Sequence, residues 1–455
     1  MPPRPRKSAT LPSRQAPARP ARPARARSPL EATVAVERIT LANGLRVVVS
    51  PDNASPVVAV AVQYDVGMRS EPEGRTGFAH LFEHLMFQGS ASLPKGQHFT
   101  MVQGSGGTLN GSTHVDYTNY YEVLPSNAAE LAMFLEADRM RSVALTQENM
   151  DNQVAVVQNE IRVNVLNQPY GGFPWLMIPP VLYNEFSNSH NGYGDFIDLE
   201  SATLTDAQEF FDRYYAPGNA VLTVAGDVDP AQVFSWAEQL FGDIPARDVP
   251  VRPTFSEPHP TSERREVATD PLAPTPALAM AWRVPDPANL DSFLPYMVLA
   301  EVLTDGDAAR LNERLLLKDR SVTSVGGYIG LLGDPLDARD PTPLLLEVHH
   351  GSEVSADTVL KTVDEEIDRL AQDGLAPGEL ARTVARMTSR YLRDIDPVLG
   401  RALNMSVFEQ QRGRAELINE LPGLLANVDP AAIAAAAATL RPDNRAVLEL
   451  RPEGA

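Results

Sequence analysis

The sequence contains no cysteine. That excludes disulfides, thiolate metal sites and a cysteine nucleophile, so any metal must be held by histidine and carboxylate. Histidine is scarce too, with 8 in 455 residues. No window offers about 18 uninterrupted apolar residues, so no membrane-spanning helix is expected. Positive charge is in deficit: 39 Lys and Arg stand against 59 Asp and Glu, a formal net charge of -20. The deficit is uneven. Residues 1–28 carry Arg4, Arg6, Lys7, Arg14, Arg19, Arg22, Arg25 and Arg27 and no acid, which leaves -28 on the remainder. So acidic a body disfavours nucleic acid as a partner, because phosphates must meet Lys and Arg. The Pro-, Ala- and Arg-biased arm over residues 1–33 reads as solvated and disordered. It lacks the apolar stretch of a secretory signal. Pro12, Pro17, Pro20 and Pro23 oppose an amphipathic presequence helix. A cytoplasmic location is expected.

What is present is ordinary globular material: 43% hydrophobic and 22% charged residues exclude a mostly disordered or collagen-like chain. At roughly 100–200 residues per domain, two to four units are expected. Segment 34–50 reads as strand, Asn43-Gly44 turn, strand. A strand follows over 57–65, and a helix over 76–89 with Thr76 as N-cap and Gly89 as stop. Helices are expected over 127–142 and 147–167, the second opened by Thr146. Strand 222–228 and helix 230–241 close the first half. Five prolines (Pro245, Pro250, Pro253, Pro258, Pro260) mark a linker. Beyond it, strands near 276–283, 342–349 and 445–451 alternate with helices over 289–303, 308–318, 355–373 and 376–393. The expectation is an α+β chain of two similarly built halves, 34–245 and 266–455, joined by a Pro-rich linker over 246–265, after an arm over 1–33.

The chemical signal is His80-Leu81-Phe82-Glu83-His84. On a helix, positions i and i+4 share a face, so the two imidazoles can occupy adjacent corners of a tetrahedral zinc site. Glu83 overhangs the same face, where it can accept a proton from a water on the metal. Phe78, Leu81, Phe82, Leu85 and Phe87 make the stretch apolar almost all round. Two imidazoles and a carboxylate buried there need partners. A third ligand must come from elsewhere, and Glu160, Glu148 and Glu136 are comparable candidates by spacing.

The stretch 40–230 resembles the M16 peptidase family of pitrilysin, insulin-degrading enzyme and the mitochondrial processing peptidase. TGFAHLFEHLMFQGS is similar to that family's zinc helix, with the inverted His-x-x-Glu-His order. GGTLNGSTHVDYTNYYEVLP (106–125) is similar to the strand segment that follows, and NQVAVVQNEIRVNVLNQPYG to the helix bearing the distal ligand. The resemblance implies halves of the metallopeptidase LuxS/MPP-like type. It implies zinc bound by His80, His84 and Glu160, Glu83 as catalytic base, and an extended substrate met by Asn110 and Gly111. Read without the resemblance, Asn110-Gly111 is simply a turn or bulge. Gln153 stands where many members carry a further glutamate that is not a ligand.

Segment 306–330 resembles the family's second-half stretch, in which an Arg and a Tyr thirteen positions on help bind substrate. Arg310 matches the Arg, but position 323 is Thr323, and Tyr328 is five residues off register. The resemblance therefore implies the zinc-bearing subunit of a heterodimer whose M16-like partner supplies the Arg–Tyr pair, with a homodimer using Tyr328 as the alternative. Peptides or unfolded polypeptides are the expected substrates. A non-catalytic scaffolding subunit is the competing reading. His114 reads as a cross-strand or surface histidine, and His98, His190, His259, His349 and His350 have no partner at ligand spacing.

Overall fold

The computed structural model describes residues 33–253, 255–258 and 260–454. The arm expected over 1–33, up to residue 32, and His259 lie outside the described residues. In the first half the strands are β1 (Glu37–Thr40), β2 (Arg46–Pro51), β3 (Val57–Tyr64), β4 (Thr108–Thr113), β5 (Thr118–Pro125) and β6 (Ala220–Gly226). The helices are α1 (Phe78–Leu85), α2 (Gln97–Gly104), α3 (Ala129–Arg141), α4 (Gln147–Ile161), α5 (Pro179–Leu182), α6 (Phe186–Ser189), α7 (Phe196–Ser201), α8 (Leu204–Tyr214) and α9 (Pro230–Phe241). The second half holds β7 (Arg264–Asp270), β8 (Ala277–Val284), β9 (Val322–Ile329), β10 (Thr342–His350) and β11 (Arg445–Pro452). Its helices are α10 (Leu290–Thr304), α11 (Ala356–Asp373), α12 (Glu379–Ile395), α13 (Val398–Arg412), α14 (Leu417–Ala426) and α15 (Pro430–Ala437).

The expected likeness of the two halves is present in the topology. The first sheet runs β1-β2-β6-β3-β5-β4 and the second β7-β11-β8-β10-β9. Without β1, the two orders are the same. Each has one parallel pair, β2 with β6 and β7 with β11, and antiparallel pairs elsewhere. Strands β4 and β9 are the matching free edges.

Apolar alternation sends each sheet's two faces into different cores. On one face of the first sheet, Val47, Val49, Val60 and Val62 pack with Phe78, Phe82 and Phe210. On the other, Val48, Ala59, Ala61 and Val221 share a core with Val407 and Phe408 of α13, an element of the second half. The second sheet returns the arrangement. Its small-residue face, Ala277, Ala279, Ala281 and Ala446, is covered by Phe173, Ile178, Leu182 and Tyr183 of the first half. Each half thus seals the other's sheet.

A buried ionic network ties the same junction. Asp116 accepts from Arg69 at 3.1 Å and from Arg252 at 2.7 Å. Arg252 also reaches Asp65 and Asp340, and Arg339 donates to both carboxylate oxygens of Asp65. Burial pushes the Asp116 carboxyl up, but the guanidiniums of Arg69 and Arg252 outweigh it and hold the group below its usual range. Arg252 lies in the proline-rich stretch, so that stretch is strapped into the junction.

Several expectations shift locally. Thr76 does not cap α1. Gly77 is the N-cap, and the Thr76 hydroxyl donates to Asp198 instead. Thr146 does cap α4 through the Asn149 N–H, but the α-helix ends at Ile161 and continues as a wider turn over Arg162–Leu166. The helix expected over 308–318 is largely a wide turn, Asn312–Lys318. Asn110-Gly111 is neither turn nor bulge but regular strand, paired with Tyr121 and Tyr120.

Candidate functional site

Helix α1 lies against the first sheet, where its phenylalanines join the core and its polar positions turn towards α4 and the edge strand. Its start is fixed by Glu71, a buried carboxylate that accepts from Gly77 N at 2.9 Å and Ala79 N at 2.8 Å. This satisfies two of the donors a helix N-terminus leaves free. His190, without an assigned role in the sequence, meets the same carboxylate at 2.9 Å. Gly77 has φ +81°, and a Cβ there would stand 2.5 Å from the Gly194 Cα. Only a glycine lets the loop 190–195 approach the helix so closely.

Three side chains converge above this helix. His80 Nε2 and His84 Nε2 are 3.2 Å apart. Glu160, the penultimate residue of α4, places Oε1 3.8 Å from His80 Nε2 and Oε2 3.3 Å from His84 Nε2. Of the three carboxylates the spacing left open, Glu160 is the one brought to the histidines. Glu148 is exposed in the first turn of α4, and Glu136 is buried elsewhere. Burial, then the neighbouring His84, lowers His80 to about 4, so its imidazole is neutral with a lone pair to offer. The hydrogen bond with His84 lowers Glu160 to about 2, which keeps it ionised. Tetrahedral zinc with bonds of roughly 2.0–2.1 Å sets its donor atoms about 3.3 Å apart. The three separations of 3.2, 3.3 and 3.8 Å fit that edge. The donor set could hold a zinc ion.

Tyr193 and Thr113, not singled out in the sequence, complete the surroundings. The Tyr193 hydroxyl donates to Glu160 Oε1 at 2.8 Å, and its ring stacks on His80 at 4.8 Å between centroids. A tyrosine between Gly192 and Gly194 in a loop that packs on the motif helix was the available signal. Thr113 of β4 donates to Glu83 Oε2 at 2.8 Å. Burial raises Glu83 above the usual carboxylate range, with the Thr113 bond opposing it. Gly111 faces the same carboxylate: a Cβ there would stand 3.1 Å from Glu83 Cγ.

A second group, His98, Glu122 and Glu136, also brings donor atoms within 4.8 Å of one another among the described residues. Here the cation is already present. Arg139 forks onto Glu136 and lies 3.8 Å from Glu122, between the rings of Tyr120 and Phe87. This group supports the fold rather than offering an open metal position.

The substrate-side residues expected from the sequence are not all gathered at this point. Asn110 and Gly111 lie on β4, at the sheet edge beside α1. Arg310 lines a separate cleft of about 500 Å³, where it forks onto Glu379 at 3.0 and 2.7 Å and reaches the Gly374 carbonyl at 2.8 Å. Thr323 is exposed, its hydroxyl donating to the His349 carbonyl. Tyr328 lines a larger chamber between the halves.

Two sheets of like topology, with a His-x-x-Glu-His helix beside one free edge, describe an α+β, zinc-protease-like chain. Comparison with known proteins narrows the class. Residues 46–170 match the model described as insulinase (peptidase family M16), and residues 201–387 match the peptidase M16 inactive domain. The chain is 26% identical to the zinc protease PqqE of Helicobacter pylori over 79% of its own length and 80% of that protein. It is 23% identical to an uncharacterised zinc protease of Streptomyces coelicolor, over 87% and 85%. In fold it matches the crystal structure of a protease from Helicobacter pylori, with a TM-score of 0.85 and 23% identity over 92% of this chain and 100% of that one. It also matches a peptidase M16 inactive domain structure from Pseudomonas fluorescens, with a TM-score of 0.82 and 16% identity over 93% and 99%. The chain belongs to the M16 peptidase family. Among the described residues, no helix is long and apolar enough to cross a membrane.

Proposed function

We propose that the chain is a zinc-dependent endopeptidase acting on peptides or unfolded polypeptides, with residues 34–245 as its catalytic half and 266–455 as its second half. The observation that carries this reading is the set of three donor atoms at tetrahedral spacing with the Glu83 carboxylate on the same helix face. His80, His84 and Glu160 hold the zinc, which supplies Lewis acidity towards water and a peptide carbonyl when bound. Glu83 takes the proton of the attacking water. Thr113 occupies Oε2 and so leaves Oε1 for that task. Glu83 then passes that proton to the departing amine. The free edge of β4 offers unpaired N–H and C=O groups to an extended peptide, with Asn110 and Gly111 alongside it.

The match to a model named inactive favours the alternative, a scaffolding subunit without chemistry. That match spans 201–387, whereas His80, Glu83, His84 and Glu160 all fall within the other model's range, 46–170. The zinc set is whole, which supports catalysis. Thr323 in place of a tyrosine supports a two-chain chamber in which an M16-like partner supplies the Arg–Tyr pair, with a homodimer as the alternative. A lone chain should then cleave poorly, and a partner with that pair should raise turnover by about 10²–10³, the usual worth of an oxyanion donor.

Metal analysis and a quenched-peptide assay test the reading. Near one equivalent of zinc is expected, lost in His80→Ala or His84→Ala and weakened in Glu160→Gln. Glu83→Gln should keep the zinc and abolish cleavage, since it removes the base and no ligand. A fully active Glu83→Gln chain, or a wild-type chain without zinc, would overturn it.

A further inference from the structure

Glu71 and His190 face each other at the start of α1, and neither side chain is more than 4% exposed. Neither takes part in the chemistry proposed above. A buried carboxylate and a buried imidazole are costly unless both are fully engaged. Here they are. Glu71 Oε1 accepts from Ala79 N, and Oε2 accepts from Gly77 N and from His190 Nε2. His190 Nδ1 lies 2.8 Å from the Phe186 carbonyl, which can only accept. Both ring nitrogens therefore donate, and the ring is an imidazolium beside a carboxylate. Burial works against the ring's charge, but the bond to Glu71 and the charge of that carboxylate outweigh it and raise His190 above its usual value.

The pair joins two segments that surround the three proposed ligands. One is the start of α1, where Ala79 adjoins His80. The other is the loop 190–195, which lies in no helix or strand and carries Tyr193. Tyr193 in turn donates to Glu160 and stacks on His80. At its far end the loop is pinned again, by Asp195 N donating to the Thr76 hydroxyl at 3.0 Å. Between the two pins it is seated closely. A Cβ on Gly192 would stand 2.6 Å from the Met68 side chain, and one on Gly194 3.0 Å from the Gly77 Cα. A loop held at both ends delivers its middle residue to a fixed point, so releasing the His190 end releases Tyr193.

We propose that Glu71 and His190 are a positioning pair for the metal: one buried carboxylate places His80 through the start of α1 and Glu160 through His190 and Tyr193. Zinc affinity then depends on two residues that bond to none of the ligands. The proposal rests on the zinc site proposed above and assigns roles to two residues outside it.

The test is zinc affinity by chelator competition on the full-length chain, for His190→Leu, Tyr193→Phe and the double variant. His190→Leu keeps the bulk and removes both donors. Its affinity should fall at least about tenfold, the lower end of what ligand-orienting groups contribute. Because His190 acts through Tyr193, the double variant should lose clearly less than the product of the two single losses. His190→Gln, whose amide can still donate to Glu71, should recover part of the loss. A second readout needs no metal: in chelator-stripped protein, the amides of 190–195 should exchange at least about tenfold faster in His190→Leu than in the wild type. If His190→Leu does not fold, because it leaves Glu71 buried without its cation, Glu71→Gln/His190→Leu removes both charges and carries the same two measurements. Unchanged affinity, losses that multiply, or unchanged exchange would each overturn the proposal. A wild-type chain that holds zinc and shows the expected losses but cleaves no peptide leaves the pair standing and overturns the peptidase reading. One that cleaves peptides while His190→Leu binds zinc as tightly as the wild type gives the reverse.

Discussion

Tyr193 touches two of the three proposed ligands at once, through a hydrogen bond to Glu160 and a stacked ring on His80. Asn164 holds its hydroxyl from the far side at 3.2 Å. Groups that orient ligands in this way are typically worth about 10–100-fold in metal affinity or activity. Tyr193→Phe keeps the ring and deletes the hydroxyl. Zinc affinity, measured by chelator competition, should fall by about that factor with the melting temperature little changed. Unchanged affinity would show that Glu160 is held by α4 alone. Gly111 acts on the base by its smallness. A valine there would meet Glu83 Cγ, the Asn119 carbonyl and the Tyr120 ring, all within 3.2 Å of its first carbon. Displacing a reacting group by about 1 Å costs about 100-fold. Gly111→Val should therefore lose about that much turnover while retaining its zinc, read by assay and metal analysis on the same sample.

At the scale of elements, what the sequence disclosed follows the kind of signal each element carries. The i, i+4 spacing of His80 and His84 is local, so their shared face was legible. Glu160 was not legible from spacing, because its approach depends on how α4 packs on α1, and only the family likeness singled it out. Strand β7, RREVATD, is largely exposed and highly charged, so it lacks the apolar alternation that marks a strand. Strand β9 carries Gly326-Gly327, which reads as a turn. Beneath α1, the buried Glu122, Glu136 and Arg139 were invisible as a unit because they come from β5 and α3. Two carboxylates share one guanidinium there. Burial raises both, Glu136 to about 8, so the pair keeps a proton at neutral pH. The folded state thus holds a proton that the unfolded chain releases near pH 4.5, and stability falls as pH rises from there to about 8. His98, lowered to about 3 by burial, works in the opposite sense below pH 6.5. The loss should therefore show most clearly between pH 6.5 and 8, at up to about 1.4 kcal/mol per pH unit. Glu122→Gln leaves one carboxylate for one guanidinium and should flatten that slope in urea-unfolding measurements. An unaltered slope would assign it to other groups.

For the whole molecule, the reciprocal covering of the two sheets has a thermodynamic consequence. Phe173 and Tyr183 belong to the first half but lose their burial if the second sheet melts, and Phe408 of α13 does so if the first sheet melts. Neither half can unfold without exposing the other's core, so urea should give a single transition seen alike by circular dichroism and by tryptophan fluorescence. The network at the junction adds a pH-dependent part. Asp116 is 1% exposed and bonded to Arg69 and Arg252. Asp116→Asn leaves those guanidiniums short of a countercharge in a buried site, and breaking such a group typically costs about 3–5 kcal/mol. Because the folded carboxyl titrates below its unfolded value, its contribution is complete above the ordinary aspartate value of about 3.9 and is lost as pH falls through the folded value. The wild-type and Asp116→Asn unfolding midpoints should therefore lie well apart at pH 7 and draw together only below about pH 4. A gap that stays constant into acid would mean that Asp116 stabilises the junction by shape rather than by charge.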